Sequence, residues 1–373
     1  MLRYLKKAPT KLLKGVALLR IDLNTIDDWR LEAALPTIKF LENKAKAIVI
    51  ISHKGRPFGF QKKYSLESDA KHLESTLRKK IIFIPDFNFI KISETIKEGA
   101  TGKIYLLQNL RFFDSETKND LTFAHNLSTL ADYYVNDAFP VSHRENASIC
   151  AITKYLPSYL GLQFEAEIKN LSSIMDRPKE PLVMIFGGAK ADDKLSVIHF
   201  FKKKAQYFLL GGVLANTLLK LKNVPIGKSL YEKKITPEIK KLVNEPKIIL
   251  PIDYRIEDEK IYDIGPKTES EFIRILMTAK TIVWNGPLGL TEREKFSHGT
   301  HNLMKAILAN KKAFRVLGGG ETVSFAKKVH LESGFNFIST GGGAMLDFLA
   351  GEKLPGIIAL EENAKRKFVN KKN

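Results

Sequence analysis

Short apolar runs rich in β-branched residues alternate with longer amphipathic segments along the chain. The runs fall into two series. The first is VALLRID, AIVIISH, IIFIPD, IYLLQNL and YYVNDAF, and the second is LVMIFGG, YFLLGG, IILPID, TIVWNG, FRVLGGG and NFISTGG. This alternation predicts an α/β fold in which parallel sheets are flanked by helices. Ligands of such folds bind at the carboxyl ends of the strands, so candidate chemistry is expected there.

One segment between the two series reads as a connector. It is GLQFEAEIKNLSSIMDRPKEP, a helix-periodic stretch that ends in polar residues with prolines. A chain of 373 residues also exceeds the length over which one hydrophobic core usually keeps growing. We therefore predict two lobes joined by a hinge helix, with the boundary near Asp176, so that residues 1–176 form the first lobe and residues 177–353 the second.

Glycine is distributed unequally between the predicted lobes. Of 24 glycines, 6 precede residue 181 and 18 follow it, many of them directly after apolar strands. Glycine at a strand end lets backbone N–H groups approach a phosphate, and a following helix adds its positive end. The first lobe instead has polar and basic side chains at its strand ends. This contrast predicts a nucleotide site in the second lobe and a site for a small anion in the first.

The chain is strongly basic. It has 60 Lys and Arg residues against 41 Asp and Glu residues, a formal charge of +19, which indicates anionic partners of some kind. Lysine pairs such as those in QKKY, FKKK and ANKK are typical of solvated faces, and the densest cluster is the tail AKRKFVNKKN. Basic and aromatic residues are only weakly interleaved, which disfavours a nucleic-acid groove. Nucleic acid is therefore not the expected partner.

Cysteine content and hydropathy limit the class of protein further. Cys150 is the single cysteine, so the chain cannot form an internal disulfide, and we expect a buried small hydrophobe there. No segment approaches the roughly 18 apolar residues of a membrane span, and the basic amino terminus lacks the features of a secretory signal. These features predict a soluble, cytoplasmic protein without a membrane partner.

The first lobe has basic residues at several strand ends or helix starts. The stretch ISHKGRP places His53 and Arg56 three residues apart after an apolar strand. A lone histidine is more often structural than ligand-binding, but Arg30, Arg111 and Arg144 occur at comparable points. Since guanidinium groups bind carboxylate and phosphate with paired hydrogen bonds, the repetition predicts an anion site.

Three motifs of the second lobe have the composition of nucleotide-binding loops. FGGAKADDKLS places Lys190 and Lys194 four residues apart, where both can face a phosphate, but it lacks the Walker A spacing and could equally be a turn with two surface lysines. TIVWNGPLGLTE runs from a strand into a ligand-facing loop or, alternatively, a simple tight turn. VLGGGETVSF combines three glycines with one carboxylate, Glu321.

In this order, the segments resemble the phosphoglycerate kinase family over nearly the whole chain. The resemblance rests on LLRIDLN, RLEAALPTIKFL, ISHKGRP, QNLRFF, VNDAF with SHR, FGGAKADDK, IGKSL, DIGPKT, VWNGPLG, FSHGT, LGGGET and STGGGAMLDFLAGEKLPGI. No single motif decides it; their ordered spacing does. The resemblance implies a monomeric, hinge-bending kinase with two Rossmann-like lobes.

The implied reaction is reversible phosphoryl transfer in glycolysis and gluconeogenesis, between 1,3-bisphosphoglycerate with ADP and 3-phosphoglycerate with ATP. Mg2+ is the implied cofactor, and ATP or ADP the co-substrate. The resemblance also implies that the first lobe binds the triose and the second the nucleotide, and that residues 354–373 return to the first lobe. The acceptor in the ATP-consuming direction is a carboxylate that is already ionised, so no general base is required.

The resemblance assigns site residues by position. The implied triose site consists of Asp22, Asn24, Arg30, His53, Arg56, Arg111 and Arg144. The implied nucleotide site consists of Lys190, Lys194, Gly211, Gly212, Gly265, Asn285, Pro287, Glu292, Gly318, Gly319, Gly320, Glu321 and Thr322. Arg30 and Lys190 are expected to act on the transferring phosphoryl group, Gly341 and Gly342 to offer helix-start N–H groups, and Glu321 to hold the metal.

Two departures from the family pattern leave a second hypothesis open. The loop after Asn24, NTIDDWR, is shorter than is usual in the family, and Glu321 stands where the family normally has Asp. A longer carboxylate side chain matters because Mg2+ tolerates little distortion of its octahedral geometry. The alternative is therefore a nucleotide-binding homologue with weak or no catalysis.

Overall fold

The computed structural model describes residues 2–25 and 28–368, and within them two compact units. The first unit takes the chain up to Ile168 and again from Lys353, and the second is Lys169–Glu352. The two units separate inside the predicted connector helix, whereas the sequence placed the boundary at its end, near Asp176. The last residues of the basic tail, 369–373, and residues 26 and 27 of the shortened loop lie outside the described residues.

The first unit contains a six-stranded parallel sheet with the order β3-β4-β2-β1-β5-β6. Its strands are β1 (Val16–Arg20), β2 (Ala47–Ile51), β3 (Ile81–Ile84), β4 (Lys103–Leu107), β5 (Tyr133–Asn136) and β6 (Ser158–Leu160). Its helices are α1 (Thr10–Leu13), α2 (Trp29–Glu42), α3 (Glu67–Leu77), α4 (Phe89–Glu98), α5 (Asp114–Thr117) and α6 (Leu121–Ser128), and α7 (Leu162–Asp176) begins here.

Both faces of the first sheet are covered, which explains why its central strands read as continuous apolar runs. Along β1, Ala17 and Leu19 belong to the hydrophobic core on one face, and Val16 and Leu18 belong to the core on the other. Successive side chains of a strand point to opposite faces, so an apolar residue is required at every position. The last residue of β1, Arg20, is the exception: it is charged and only 1% exposed.

The second unit contains another six-stranded parallel sheet, with the order β14-β13-β12-β7-β8-β9. Its strands are β7 (Leu182–Phe186), β8 (Tyr207–Leu210), β9 (Ile248–Ile249), β12 (Thr281–Asn285), β13 (Phe314–Gly318) and β14 (Phe337–Ile338), and β10 (Tyr254–Glu257) and β11 (Lys260–Ile264) form a separate antiparallel pair. Its helices are α8 (Asp192–Phe201), α9 (Gly212–Leu221), α10 (Pro237–Leu242), α11 (Pro266–Thr278), α12 (His298–Ala309), α13 (Gly320–Lys328) and α14 (Gly343–Leu349).

The predicted fold class is confirmed by these two helix-flanked parallel sheets. The predicted strands are present, although β9 and β14 are each reduced to two residues. The sequence did not predict β6 or the β10–β11 pair. No helix among the described residues is long and apolar enough to cross a membrane.

The last helix, α15 (Pro355–Lys365), packs on the first unit, and one buried amide side chain makes several of the hydrogen bonds between them. The Asn363 side chain donates to the carbonyl oxygens of Thr153 and Leu156, and its Oδ1 accepts from the Ser158 N–H at 2.9 Å. Asn363 is only 1% exposed, so its polar atoms depend on these protein partners rather than on water. The bonds tie α15 to the edge of the sheet beside β6.

Asp137, which follows β5, anchors the start of α7. Its Oδ1 accepts a hydrogen bond from the backbone N–H of Phe164 at 3.0 Å, and Thr37 Oγ1 accepts one from the N–H of Leu162 at 2.9 Å. The other carboxylate oxygen of Asp137 is buried and has no hydrogen-bond partner within residues 2–25 and 28–368. Burial raises the pKa of Asp137 from 3.8 to about 6, although hydrogen bonds from Thr37 and the α7 backbone oppose the rise.

We expect Asp137→Asn to change how stability depends on pH. Because the pKa in the folded protein lies above the unfolded value, the stability that the wild-type carboxyl contributes is fully present below pH 3.8 and is lost as the pH rises through about 6. A shift of about 2 units corresponds to ~3 kcal/mol. Between pH 4 and pH 7.5, the free energy of unfolding of the variant should therefore increase relative to that of the wild type by up to this amount.

Urea unfolding at the two pH values measures this difference. Trp29 lies in the first unit and Trp284 in the second, so replacing Trp284 by Phe in both proteins makes fluorescence report the first unit. An equal stability difference at both pH values would contradict the prediction.

Candidate functional site

The buried Asp22 and the half-buried Arg30 form an ion pair just beyond the carboxyl end of β1. Arg30 Nη1 donates to Asp22 Oδ2 at 2.8 Å, and the other oxygen, Oδ1, accepts from the backbone N–H of Asn24 at 3.0 Å. The Arg30 guanidinium also lies 5.2 Å from the Trp29 ring centroid. Its Nε is buried and has no hydrogen-bond partner in the part of the chain that the structure describes. The pair therefore fixes Arg30 at one nitrogen and leaves donor capacity for a ligand.

His53, which follows β2, lies in the same group of side chains. Arg20 Nη2 lies 3.0 Å from His53 Nδ1, and Asp22 Oδ1 lies 3.7 Å from that nitrogen, beyond hydrogen-bonding distance. The pKa of His53 is well below its usual value because the ring is buried, and because the charges of Arg20, Arg111, Arg144 and Arg30 disfavour a further positive charge. The imidazole is therefore neutral at physiological pH.

The remaining arginines of the predicted anion site repel one another electrostatically. The pKa of Arg111 is lowered to about 10, chiefly by burial and also by the charges of Arg144 and Arg20, while the charges of Glu116 and Asp22 oppose the shift. Burial also lowers the pKa of Arg144, and the charge of Arg56 adds to the effect. These shifts indicate a partly desolvated region with an excess of positive charge. An anion bound there would relieve the repulsion.

Short hydrogen bonds between loops hold this group together. Asn24 Oδ1 accepts from the Gly55 N–H at 2.7 Å, and Arg111 Nη1 donates to the Gly55 carbonyl oxygen at 2.7 Å. Arg144 Nε donates to His143 Nε2 at 3.1 Å. Arg56 is exposed beside them. Hydrogen bonds thus join Asn24, Gly55 and Arg111, whereas Arg56 is related to Arg144 through charge.

In the second unit, the backbones that follow β7, β8 and β12 approach one another closely. Gly212 and Gly286 both have positive φ, +60° and +90°. A Cβ on Gly212 would lie 2.4 Å from the Gly188 carbonyl oxygen, and one on Gly286 would lie 2.3 Å from the Gly187 carbonyl oxygen. Side chains cannot be accommodated at these points, so three strand ends form a surface of bare backbone.

Three predicted nucleotide-site residues close to that surface are engaged in holding the loops. The Pro287 carbonyl oxygen accepts from the Gly188 N–H at 2.8 Å, and Gly211 donates its N–H to the Phe186 carbonyl oxygen at 2.8 Å. Asn285 is buried at the end of β12, and its backbone carbonyl oxygen accepts from the Gly187 N–H at 3.2 Å. These residues position the backbone rather than extend into open space.

The LGGGET segment joins the same region through β13 and α13. Gly318 packs against Met345, and Gly319, the residue before α13, has a φ of +84°. A Cβ on Gly320 would meet nothing within 4 Å. Thr322 is fully buried, and its hydroxyl oxygen accepts from the Gly286 N–H at 3.0 Å. The Thr322 oxygen thus fixes the neighbouring loop, and a contact of its hydroxyl with nucleotide stays a prediction.

The two lysines of FGGAKADDK have different environments. Lys190 is exposed and precedes α8, whereas Lys194 lies in the first turn of α8 and is only 5% exposed. The Lys194 ammonium donates to the Lys190 carbonyl oxygen. Burial lowers the pKa of Lys194, while the charges of Asp193 and Glu321 oppose the shift and that of Lys190 adds to it. Lys190 is therefore the lysine whose side chain is accessible to a ligand.

Glu321 fits the role of a metal-binding carboxylate that acts together with a nucleotide. Its side chain is exposed in the first turn of α13, and its Oε2 would lie 4.0 Å from a Cβ on Gly188. The described residues contain no cluster of three His, Cys, Asp or Glu side chains that could hold a metal. Mg2+ commonly binds through one or two carboxylates together with substrate phosphates. A single glutamate beside a bare-backbone surface is compatible with that arrangement.

Comparison with known proteins identifies the family. The profile of the phosphoglycerate kinase family matches residues 14–352. The chain belongs to the phosphoglycerate kinase family. The phosphoglycerate kinase of Coprothermobacter proteolyticus is 39% identical over 360 residues, covering 90% of this chain and 91% of the relative. That of Dictyoglomus turgidum is 37% identical, covering 94% of this chain and 96% of the relative.

Solved structures of phosphoglycerate kinases have the same fold. The enzyme from Pyrococcus horikoshii OT3 matches with a TM-score of 0.86 at 33% identity, and that from Coxiella burnetii with a TM-score of 0.82 at 30% identity. Each match covers 98% of this chain and 100% of the other. The predicted family resemblance is confirmed.

Three buried residues beside the predicted anion site were missed by the sequence reasoning. Arg20 donates through Nε to Ser148 Oγ at 3.0 Å, and Ser148 donates from the same hydroxyl to Glu116 Oε1 at 2.6 Å. Arg20 and Glu116 are each 1% exposed, and Ser148 is fully buried. One signal in the sequence could have pointed to Arg20: in VALLRID, this charged residue ends an otherwise apolar strand. Its partners lie too far along the chain for any local pattern to reveal them.

The four remaining predicted residues lie in loops or just before helices. Gly265 precedes α11, and a Cβ there would lie 2.3 Å from Asp253 Cγ. Glu292 is exposed in the loop after β12. Gly341 is buried, with its N–H bonded to Ser339 Oγ at 3.1 Å, and Gly342 precedes the seven-residue helix α14 with a φ of +52°. Their roles toward nucleotide stay predictions.

Proposed function

We propose that the chain catalyses reversible transfer of the ATP γ-phosphoryl group to the carboxylate of 3-phosphoglycerate, yielding ADP and 1,3-bisphosphoglycerate. The observation that carries the proposal is the desolvated group of arginines around a neutral histidine, in a member of this family. The group offers donors with an excess of positive charge, as an anionic triose requires. We assign the triose to the first unit, and the nucleotide to the second.

The acceptor chemistry suits this set of residues. A carboxylate is ionised at neutral pH, so its attack on phosphorus needs no general base. What the reaction does need is alignment of two anions that repel each other and stabilisation of the charge on the transferring group. Arg30, held by Asp22 and with Nε unbonded, is assigned to that charge together with the exposed Lys190.

The nucleotide side relies on backbone more than on side chains. Gly188, Gly212 and Gly286 leave the strand ends without side chains, and we assign the nucleotide phosphates to this bare backbone and to the start of α9 at Gly212. Glu321 is assigned to Mg2+, which when bound supplies positive charge at the phosphate oxygens. We further propose that the protein acts as a monomer in the cytoplasm and needs no nucleic-acid or membrane partner.

Glu321 also supports a second candidate, a nucleotide-binding homologue with weak or no catalysis. Its carboxylate stands one methylene further from the backbone than the aspartate expected from the family pattern. The residues of the anion site argue for the active enzyme, because a protein that only binds nucleotide has no need for four arginines converging on His53.

A coupled assay with 3-phosphoglycerate, ATP and Mg2+ tests the proposal, run on the wild type beside Glu321→Asp. We expect turnover that requires all three components, in both proteins. If the wild type were inactive and the Glu321→Asp variant active, the second candidate, a nucleotide-binding homologue, would be favoured. The defect would then lie in metal binding by Glu321. Nucleotide binding without turnover in either protein, under any divalent cation, would refute the enzyme assignment.

A further inference from the structure

A chain of buried side chains runs from Glu116 to His53 behind the triose site. The Ser148 backbone N–H and hydroxyl both donate to Glu116, at 2.9 and 2.6 Å. Arg20 Nε donates to the Ser148 hydroxyl oxygen, and Arg20 Nη2 lies 3.0 Å from His53 Nδ1. Arg20 Nη1 donates to the Ile21 carbonyl oxygen. Each guanidinium nitrogen of Arg20 therefore has a partner, and the group has a fixed orientation.

The Arg20 contact determines where His53 carries its proton. A guanidinium group has donors but no acceptor, so the His53 nitrogen that faces it must offer a lone pair. Nδ1 is then unprotonated, and the single proton of the neutral ring lies on Nε2. A ring protonated on Nδ1 would direct its N–H at the Arg20 N–H, so two donors would face each other.

The protonated nitrogen is the one without a partner. His53 is fully buried, and its Nε2 has no hydrogen-bond partner in the part of the chain that the structure describes. A buried N–H without an acceptor costs free energy. An anionic ligand among the surrounding arginines would supply that acceptor.

We propose that Arg20, oriented by Ser148 and Glu116, is a positioning residue that fixes His53 as the neutral Nε2–H tautomer, so that the ring presents one N–H donor to the triose anion. The part about the triose rests on the proposed function; the part about the tautomer does not. Arg20 acts here through His53, and Arg30, Arg111 and Arg144 provide the positive charge.

Nitrogen NMR of the 15N-histidine-labelled wild type tests the tautomer directly. The chain has eight histidines, and the His53 signals are those lost in His53→Gln. We expect an unprotonated Nδ1 and a protonated Nε2 without any ligand. The opposite pattern, or an equal mixture of tautomers, would overturn the proposal. The measurement needs no activity, so an inactive wild type with the expected tautomer would refute the proposed function alone.

Steady-state kinetics test whether Arg20 acts through His53. We expect Arg20→Met to raise the KM for 3-phosphoglycerate about tenfold, the effect of one lost hydrogen bond to a charged group. Glutamine has a side-chain N–H but no tautomers. In a His53→Gln background, Arg20→Met should therefore raise KM less than about twofold. Equal effects in the two backgrounds would mean that Arg20 does not act through His53.

The pH dependence separates this role from a general loss of structure. In wild type, burial lowers the pKa of His53, and the charges of Arg20, Arg111, Arg144 and Arg30 lower it further, while Asp22 Oδ1 lies 3.7 Å from its Nδ1. Without Arg20 the ring should protonate more readily, and a protonated ring donates from both nitrogens. The KM ratio of Arg20→Met to wild type should therefore be smaller at pH 6 than at pH 8. A constant ratio would contradict the proposal.

Discussion

Arg30→Ala should lower kcat for phosphoryl transfer by about a thousandfold, the scale seen when a cationic or N–H donor is removed from a transition state. Arg30 is preorganised: Asp22 holds Nη1 at 2.8 Å, the guanidinium lies over Trp29, and Nε is buried and unbonded among the described residues. The KM for nucleotide, which we assign to the other unit, should change little. The coupled assay at saturating substrate measures the effect.

Two controls distinguish charge stabilisation by Arg30 from simple structural support. Lys97→Ala removes one positive charge from an exposed position on α4 of the same unit, and it should retain wild-type kcat. Arg30→Ala also leaves Asp22, which is 5% exposed, without its ion partner. The double variant with Asp22→Asn removes that uncompensated charge. If the double variant recovered kcat, Arg30 would be needed only to neutralise Asp22, and the assigned role would be wrong.

The strands of both sheets were predictable because burial on two faces demands unbroken apolar runs. The β10–β11 pair was not, since YRIEDEKIYDI mixes charged and apolar residues and its turn is formed by Asp258 and Glu259, with φ of +48° and +60°. Turns with positive φ are usually recognised in a sequence by glycine or asparagine, and this turn has neither. β6 was missed because three residues are too few to show a period.

The candidate site shows the same division between local and distant information. Asp22, His53 and Gly212 could be predicted because each follows a recognisable strand, and parallel strands bring their carboxyl ends to one edge. The Arg20 contacts could not, because Ser148 lies 128 positions from Arg20 and becomes its neighbour only through tertiary packing. The sequence thus indicates which side chains lie at the candidate site more readily than it indicates which residues orient them.

Glu321→Ala should lower kcat about a hundredfold at Mg2+ levels that saturate the wild type, and should raise the half-saturating Mg2+ concentration about tenfold. The reason is that Glu321 is the carboxylate assigned to the metal, exposed beside Gly188 in the first turn of α13.

Glu238→Ala is the matched control, because Glu238 is an exposed glutamate at the corresponding position of α10 and interacts with its helix dipole in the same way. Activity measured against Mg2+ concentration at fixed ATP gives both values. An unchanged Mg2+ dependence in Glu321→Ala would exclude Glu321 as the metal ligand. If kcat fell while the Mg2+ dependence stayed the same, the effect would instead come from the charge of Glu321 acting on the ammonium of Lys194, because that charge raises the pKa of Lys194.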